Sequence, residues 1–242
     1  MSNIRIVPIL LFAVCLCSAA FGQYSSADKG IGVHGNVGLP QSSANFKQLF
    51  DNGFGFGLEF KKHLINKTKV VLSFSQTTFA EKQDELLNYY METLQQNAVW
   101  RFPTTTVVTH DSPTMTSGGL TLQQFSVNLQ QYVISGNLGI YATAGPGLYV
   151  YNYDDVEVKA KRHQNNTLTG VVTDRDVTLK DGGAKYCFAL NVGAGVEVNV
   201  LHRVAVFAEG KYHVVRNTSE LGGSYRDFIG AVAGLRYALQ LK

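Results

Sequence analysis

From Gly30 onward, apolar residues recur at every second position, and none of the residues assigned to that apolar face is charged. A period of two places alternate side chains on opposite faces of a strand. Ile31, Val33, Val37 and Leu39 alternate with Gly32, His34, Asn36 and Gly38, and Phe54, Phe56, Leu58 and Phe60 alternate with Gly53, Gly55, Gly57, Glu59 and Lys61. The same rule repeats around Val70–Phe74, Phe125–Leu129, Ile140–Val150, Tyr186–Val198, Val204–Val214 and Ile229–Leu239. Eight strands are predicted.

The second face decides what kind of eight-stranded protein this is. It carries Glu59, Lys61, Lys185, Glu197, Glu209, Lys211 and Arg236 among glycine, serine and asparagine. A soluble sandwich or ligand-binding barrel puts its charges on a solvated exterior and its apolar residues inside. Charges spaced by small residues suit a narrow lumen instead, where glycine leaves room for paired long side chains, and the apolar face then meets lipid. Composition agrees. Charged residues make up 16% of the chain, below the roughly 25% of soluble domains. The net charge of +3 contains no block of like charges and gives no footprint for nucleic acid.

Connection lengths test the barrel independently. Links 40–52, 80–119, 152–183 and 216–226 are long, and links 62–68, 135–137 and 199–202 are short. Strict alternation is expected when short turns face the periplasm and long loops face outward. Three local features are predicted. Leu120 and Leu122 fall out of phase and imply a bulge near Gln123. Gly145-Pro146-Gly147 implies a bulge or kink, because a closed barrel has no free edge for proline. Interfacial aromatic belts would use Tyr149, Tyr151, Tyr153, Tyr186, Tyr212 and Phe228 at the outer ends, and Phe60, Tyr132 and Tyr237 at the inner ends.

The first residues read as an export signal: Arg5, then an apolar run from Ile6 to Ala20, then Ala20-Phe21-Gly22 as the cleavage pattern. The run is too short for a membrane-spanning helix, which needs about 20 apolar residues. Cys15 and Cys17 do not follow the small-residue pattern that lipidation needs. Cleavage after residue 22 leaves a barrel domain over 23–242, with 20 cations against 18 acids and Cys187 as its one cysteine, so no disulfide framework is available.

The stretch GAGVEVNVLHRVAVFAEGKYHVV, residues 193–215, resembles the strand, turn and strand of small outer-membrane barrels of the OmpA and OmpX type. Ala233-Gly-Leu-Arg-Tyr237 is similar to the last strand of that barrel-domain family, particularly its Bacteroidota-like members. The resemblance covers the chain from about residue 30 to its end. It implies an all-β, eight-stranded antiparallel transmembrane up-and-down barrel in the cell outer membrane, monomeric, with lipid and lipopolysaccharide as surroundings. The family usually closes on a terminal aromatic, whereas this chain ends Leu239-Gln-Leu-Lys242, and no appended peptidoglycan-binding domain is expected.

Eight strands enclose an interior that side chains just fill, so a general diffusion pore is not expected. Glu59, Lys61, Glu197, Glu209, Lys211 and Arg236 are the candidate lumenal network, read either as an ion path or as the way a polar lumen satisfies itself. His110-Asp111-Ser112 holds the residue types of a triad, but sequence neighbours point apart, so no catalytic residues are assigned. The histidines show no metal-ligand spacing, and neither metal nor cofactor is expected. Loop 80–119 carries Leu87, Tyr90, Met91 and Leu94 at helical spacing after Asp84 and Glu85, followed by a threonine-rich extended arm at 104–116. It is the candidate site for an extracellular or envelope protein partner. Loop 152–183 mixes Lys159, Lys161, Arg162 and Arg175 with Asp155, Asp174 and Asp176, as a solvated loop near lipopolysaccharide would. Asn66, Asn165 and Asn217 match glycosylation sequons that a bacterial origin would make coincidental. The alternatives to a structural or surface-interaction barrel are a lipid-modifying enzyme at the outer rim and a secreted barrel for an apolar ligand.

Overall fold

The structure, a computed structural model, describes residues 29–41, 44–65, 67–101, 106–116, 119–201, 203–216 and 227–239. The export segment 1–22 with Cys15 and Cys17, and Asn66 and Asn217, lie outside the described residues. In chain order the elements are β1 (Lys29–Pro40), α1 (Ala44–Leu49), β2 (Phe50–Ile65), β3 (Thr68–Glu81), α2 (Gln83–Arg101), β4 (Thr106–Thr116), β5 (Leu120–Ile134), β6 (Leu138–Asn166), β7 (Val172–Leu201), β8 (Val204–Arg216) and β9 (Phe228–Leu239). Every strand except β4 pairs antiparallel with both neighbours, and β9 returns to β1, with Ile31 facing Tyr237 on one side and Phe60 on the other. The barrel is closed by eight strands. No free edge remains in the wall.

The two faces follow the period of two. Ile31, Val33, Phe54, Phe56, Leu58, Phe188 and Leu190 are exposed outside, Phe188 at 78%, while Glu59, Lys61, Asn128, Gln130, Glu209 and Arg236 are buried inside. A barrel holding an apolar ligand would reverse this arrangement, so that alternative is overturned. Glycine on the inner face answers a spatial need. A Cβ at Gly32 would lie 2.8 Å from the Glu59 side chain, and one at Gly195 would lie 2.6 Å from the Tyr141 ring. In both cases the large inward side chain leans over a glycine at the paired position of the adjacent strand.

Three expectations are corrected. β5 runs without a register shift past Gln123, so Leu120 and Leu122 simply point inward with Gln124, Ser126 and Asn128. They look out of phase only if the whole lumen is polar, and its outer half is apolar. Pro146 forms neither bulge nor register shift: β6 keeps continuous register with β7 as Pro146 faces Leu190. On the β5 side the ladder lapses between Ser126–Gly147 and Leu129–Ala144, and Asn191 Nδ2 donates to the Gly145 carbonyl at 2.9 Å. The belt also loses members, because Tyr132, Tyr149, Tyr151 and Phe228 are buried inward and Tyr153 packs against the inner core. Tyr186, Tyr212 and Tyr237 do face outward.

The larger difference lies beyond the barrel. Residues 152–183, expected as a loop, continue β6 and β7 as a hairpin, with Val156 facing Asp181 and Asn165 facing Val172. Ten residue pairs at about 3.4 Å each carry it roughly 34 Å past the lip. β4 adds a third strand, Thr106 against Asn166 through Thr116 against Glu157. A register shift between Tyr153 and Val156 moves the inward face from odd to even numbers, so Val156, Val158 and Ala160 are buried. Asn166 sets the tip, its Oδ1 accepting from the Leu168 and Thr169 amides, and Gly170 there takes φ +66°. The expected helix and arm of loop 80–119 are present as α2 and β4. α2 buries Leu86, Tyr90 and Leu94, with Leu87 partly buried beside them.

Candidate functional site

The interior has two storeys. The storey nearer the short turns is polar and built around Arg236 of β9. Its guanidinium bonds Glu59 of β2, with Nη2 to Oε2 at 3.2 Å, and Glu197 of β7, and it stacks on the Phe207 ring with Cζ 3.7 Å from the centroid. Lys61 reaches Glu197 at 2.5 Å and also donates to the Tyr132 hydroxyl, which donates to Glu197 at 3.1 Å. Towards mid-lumen Lys211 pairs with Glu209, whose second oxygen accepts from Gln130 Nε2 at 3.0 Å. All six candidate network residues therefore face the lumen. The structure joins Glu59, Arg236, Glu197 and Lys61 in one chain of ion pairs and leaves Glu209–Lys211 as a separate pair. Three carboxylates meet three cations, so the six carry no net charge, which is what a desolvated interior requires. Above them a void of about 30 Å³, lined in part by His34, Ser75, Gln124 and His213, is about water-sized.

The outer storey is apolar. Phe79, Leu120, Leu122, Tyr149, Tyr151, Val215 and Phe228 are each at most 1% exposed, with Cys187 and Ala189 beside them. α1 adds Phe46 and Leu49, and α2 adds Leu86 and Tyr90. Phe79 and Phe46 lie 5.3 Å apart between ring centroids, and His213 stacks on Phe228 at 4.3 Å. The lumen is closed by this plug. The sequence could have shown it, since seven inward positions near the long-loop ends are aromatic or aliphatic, but a uniformly polar lumen was expected there.

Outside the barrel the chemistry-bearing residues form structural contacts. His110 Nδ1 lies 3.1 Å from Gln95 Oε1, and Gln95 Nε2 donates to the Val108 carbonyl at 2.8 Å, fastening α2 to β4. Asp111 turns to His163 instead of His110. The His110-Asp111 neighbours are thus not brought together as acid and base. His163 is the residue that sequence reasoning missed: Nε2 lies 3.1 Å from Asp111 on β4 and Nδ1 lies 2.7 Å from Asp174 on β7. Asp174 lies opposite it in the β6–β7 hairpin, but that hairpin reads as a loop in the sequence, and Asp111 comes from the distant β4.

A neutral imidazole has one N–H, so donating to two carboxylates requires the charged ring. The hydrogen bonds to Asp174 and then Asp111 hold the His163 pKa above its ordinary value of 6.5. Because the folded pKa is raised, the clamp is fully present below about pH 6.5 and is lost as pH rises through the folded pKa. Amides of β4 are therefore expected to exchange more slowly at pH 6 than at pH 8 once intrinsic rates are removed. His163→Gln should abolish that difference, and a difference that survives the substitution would refute the clamp.

The chain matches no known protein family and no curated protein sequence. Among solved structures it is similar to Neisserial surface protein A, with 12% identity and a TM-score of 0.51 over 89% of this chain and 100% of that one. It is also similar to the attachment invasion locus protein Ail of Yersinia pestis, with 14% identity and a TM-score of 0.43 over 88% and 99% of the two chains. The outer membrane protein OprG from Pseudomonas aeruginosa gives 11% and 0.40 over 89% and 98%. At such identities the likeness is one of fold: an eight-stranded barrel of the small outer-membrane type.

Proposed function

We propose that this chain is an integral outer-membrane barrel that conducts nothing, holds its lumen shut with an ion-paired layer and an apolar plug, and works through the three-stranded extension outside. The observation that carries this is the inversion of the barrel. Its exposed band includes Phe54, Phe56, Leu58, Phe188, Leu190 and Val192, whereas Glu59, Lys61, Glu209 and Arg236 are buried inside the wall. Water does not support so large an apolar exterior, but hydrocarbon does. The polar side of the extension, where Lys159 and Lys161 share a face with Asp174 and Asp176, favours a role in surface contact, to lipopolysaccharide or to an extracellular or envelope protein partner. No residue is assigned to catalysis, and the barrel is taken to act as a monomer.

The test is electrophoretic mobility with and without boiling, after refolding in detergent micelles and in detergent-free buffer. A heat-modifiable band only with detergent is the expected result, together with no conductance above baseline in a planar bilayer. A folded species in detergent-free buffer refutes the membrane assignment, and stable single-channel steps refute the closed lumen.

A further inference from the structure

The mouth at the short-turn end holds a basin of about 300 Å³ whose described lining is strongly positive. Among the described residues Lys29, Lys61, Lys67, Lys69, Arg203 and Arg236 line it with Glu197 as the one carboxylate, and once Glu59, the partner of Arg236, is also counted, six cations meet two carboxylates, an excess of four positive charges. The whole chain carries only +3, so the excess is concentrated here. Glu197 is already engaged by Lys61 and Arg236. Among the described residues no carboxylate pairs with Lys29, Lys67 or Lys69. Two ammonium groups instead crowd one ring, Lys69 Nζ at 4.6 Å and Lys61 Nζ at 4.9 Å from the Tyr132 centroid. The network that Lys61, Glu197 and Arg236 share with the basin is neutral, so the excess sits on the lysines and the arginine of the rim.

Like charges gathered in a concave site with low-dielectric walls repel one another and focus a positive potential. A solvated rim would tolerate a few of them through screening. Here Lys61 and Arg236 are buried at 6% and 5% exposure and fixed by their carboxylates, so they form a pre-set floor beneath the rim cations. We infer that the mouth binds a small multivalent anion bearing phosphate or carboxylate groups, held by Lys29, Lys67, Lys69 and Arg203 above the Lys61–Arg236 floor. The basin has room for about ten waters at roughly 30 Å³ each, enough for an inorganic triphosphate. It lies at the end of the lumen and not on the lipid-facing wall, which favours a soluble anion over a lipid headgroup carrying the same phosphate. That the soluble anion comes from the periplasm rests on the outer-membrane reading above.

Inorganic triphosphate is titrated calorimetrically into the full mature chain refolded in a neutral detergent. The basin variant is Lys29→Gln/Lys67→Gln/Lys69→Gln, and the control at the outer end is Lys159→Gln/Lys161→Gln/Lys180→Gln. Both variants lose three positive charges, so general attraction falls alike. The expected result is one saturable site in the parent, at least tenfold weaker in the basin variant and within twofold in the outer variant. Absence of saturable binding, or equal weakening in both variants, overturns the site. Boiling-dependent migration is scored on every sample: a heat-modifiable barrel that does not bind refutes the basin alone, and a chain that is not heat-modifiable refutes the membrane reading. In nanodiscs, replacing phosphatidylcholine with phosphatidylglycerol should leave triphosphate affinity unchanged, whereas a tenfold loss overturns the soluble source.

Discussion

Arg236→Met is expected to destabilise the barrel by about 3–5 kcal/mol, because it leaves Glu59 and Glu197 buried without the guanidinium that both share. With a urea slope near 2 kcal/mol per M, the midpoint in vesicles should fall by about 2 M. Lys61 still reaches Glu197, so the greater penalty falls on Glu59, which sits against Gly32 and bonds Arg236 through both oxygens. Neutralising the partners with Glu59→Gln/Glu197→Gln/Arg236→Met should recover at least half of the loss, since paired amides need less solvation than orphaned carboxylates. Arg236→Lys should fall between, because a point charge cannot span two carboxylates as the planar fork does. A loss below 1 kcal/mol for Arg236→Met would mean that water reaches the network and that the balanced charges are incidental.

How much of this was legible in the sequence depended on the range of the interactions. Alternation alone located every barrel strand, because a lipid-facing wall imposes it at each position. Gly32 opposite Glu59 follows from the same rule, since a narrow lumen admits long side chains only where their neighbours are small. The plug was missed for a reason of expectation: Leu120, Leu122, Tyr149 and Tyr151 have the inward parity, yet aromatic residues near strand ends also suit an interface belt. The hairpin at 152–183 was hidden by its own bulge. Val156, Val158 and Ala160 alternate with Glu157, Lys159 and Lys161, but the shift at the lip breaks phase with Tyr149 and Tyr151, and mixed charge reads as a solvated loop. The His163 clamp and the basic mouth had no local signature, since each gathers residues from several strands. Period reports the face of a strand, whereas assembly across strands reports the site.

Phe79→Ala is the sharper test of the plug. Phe79 is fully buried, and its ring fits a slot made by two glycines that face each other across β1 and β2, Gly38 and Gly53. A Cβ would lie 2.7 Å from the ring at Gly38 and 2.8 Å from it at Gly53. Truncation to alanine should cost about 3–5 kcal/mol, because the closed wall cannot collapse into the space left behind. It should not open a pore, since the ion-paired storey still fills the lumen. In the parent, Gly53→Leu should cost about 1–3 kcal/mol by overpacking. In the Phe79→Ala background the same leucine enters the vacated slot and should stabilise, so the sign of its effect reverses. A double-mutant cycle in urea reads this coupling directly. Additive losses would show that the two glycines are not there for the ring, and the slot would have to be abandoned as the reason for their placement.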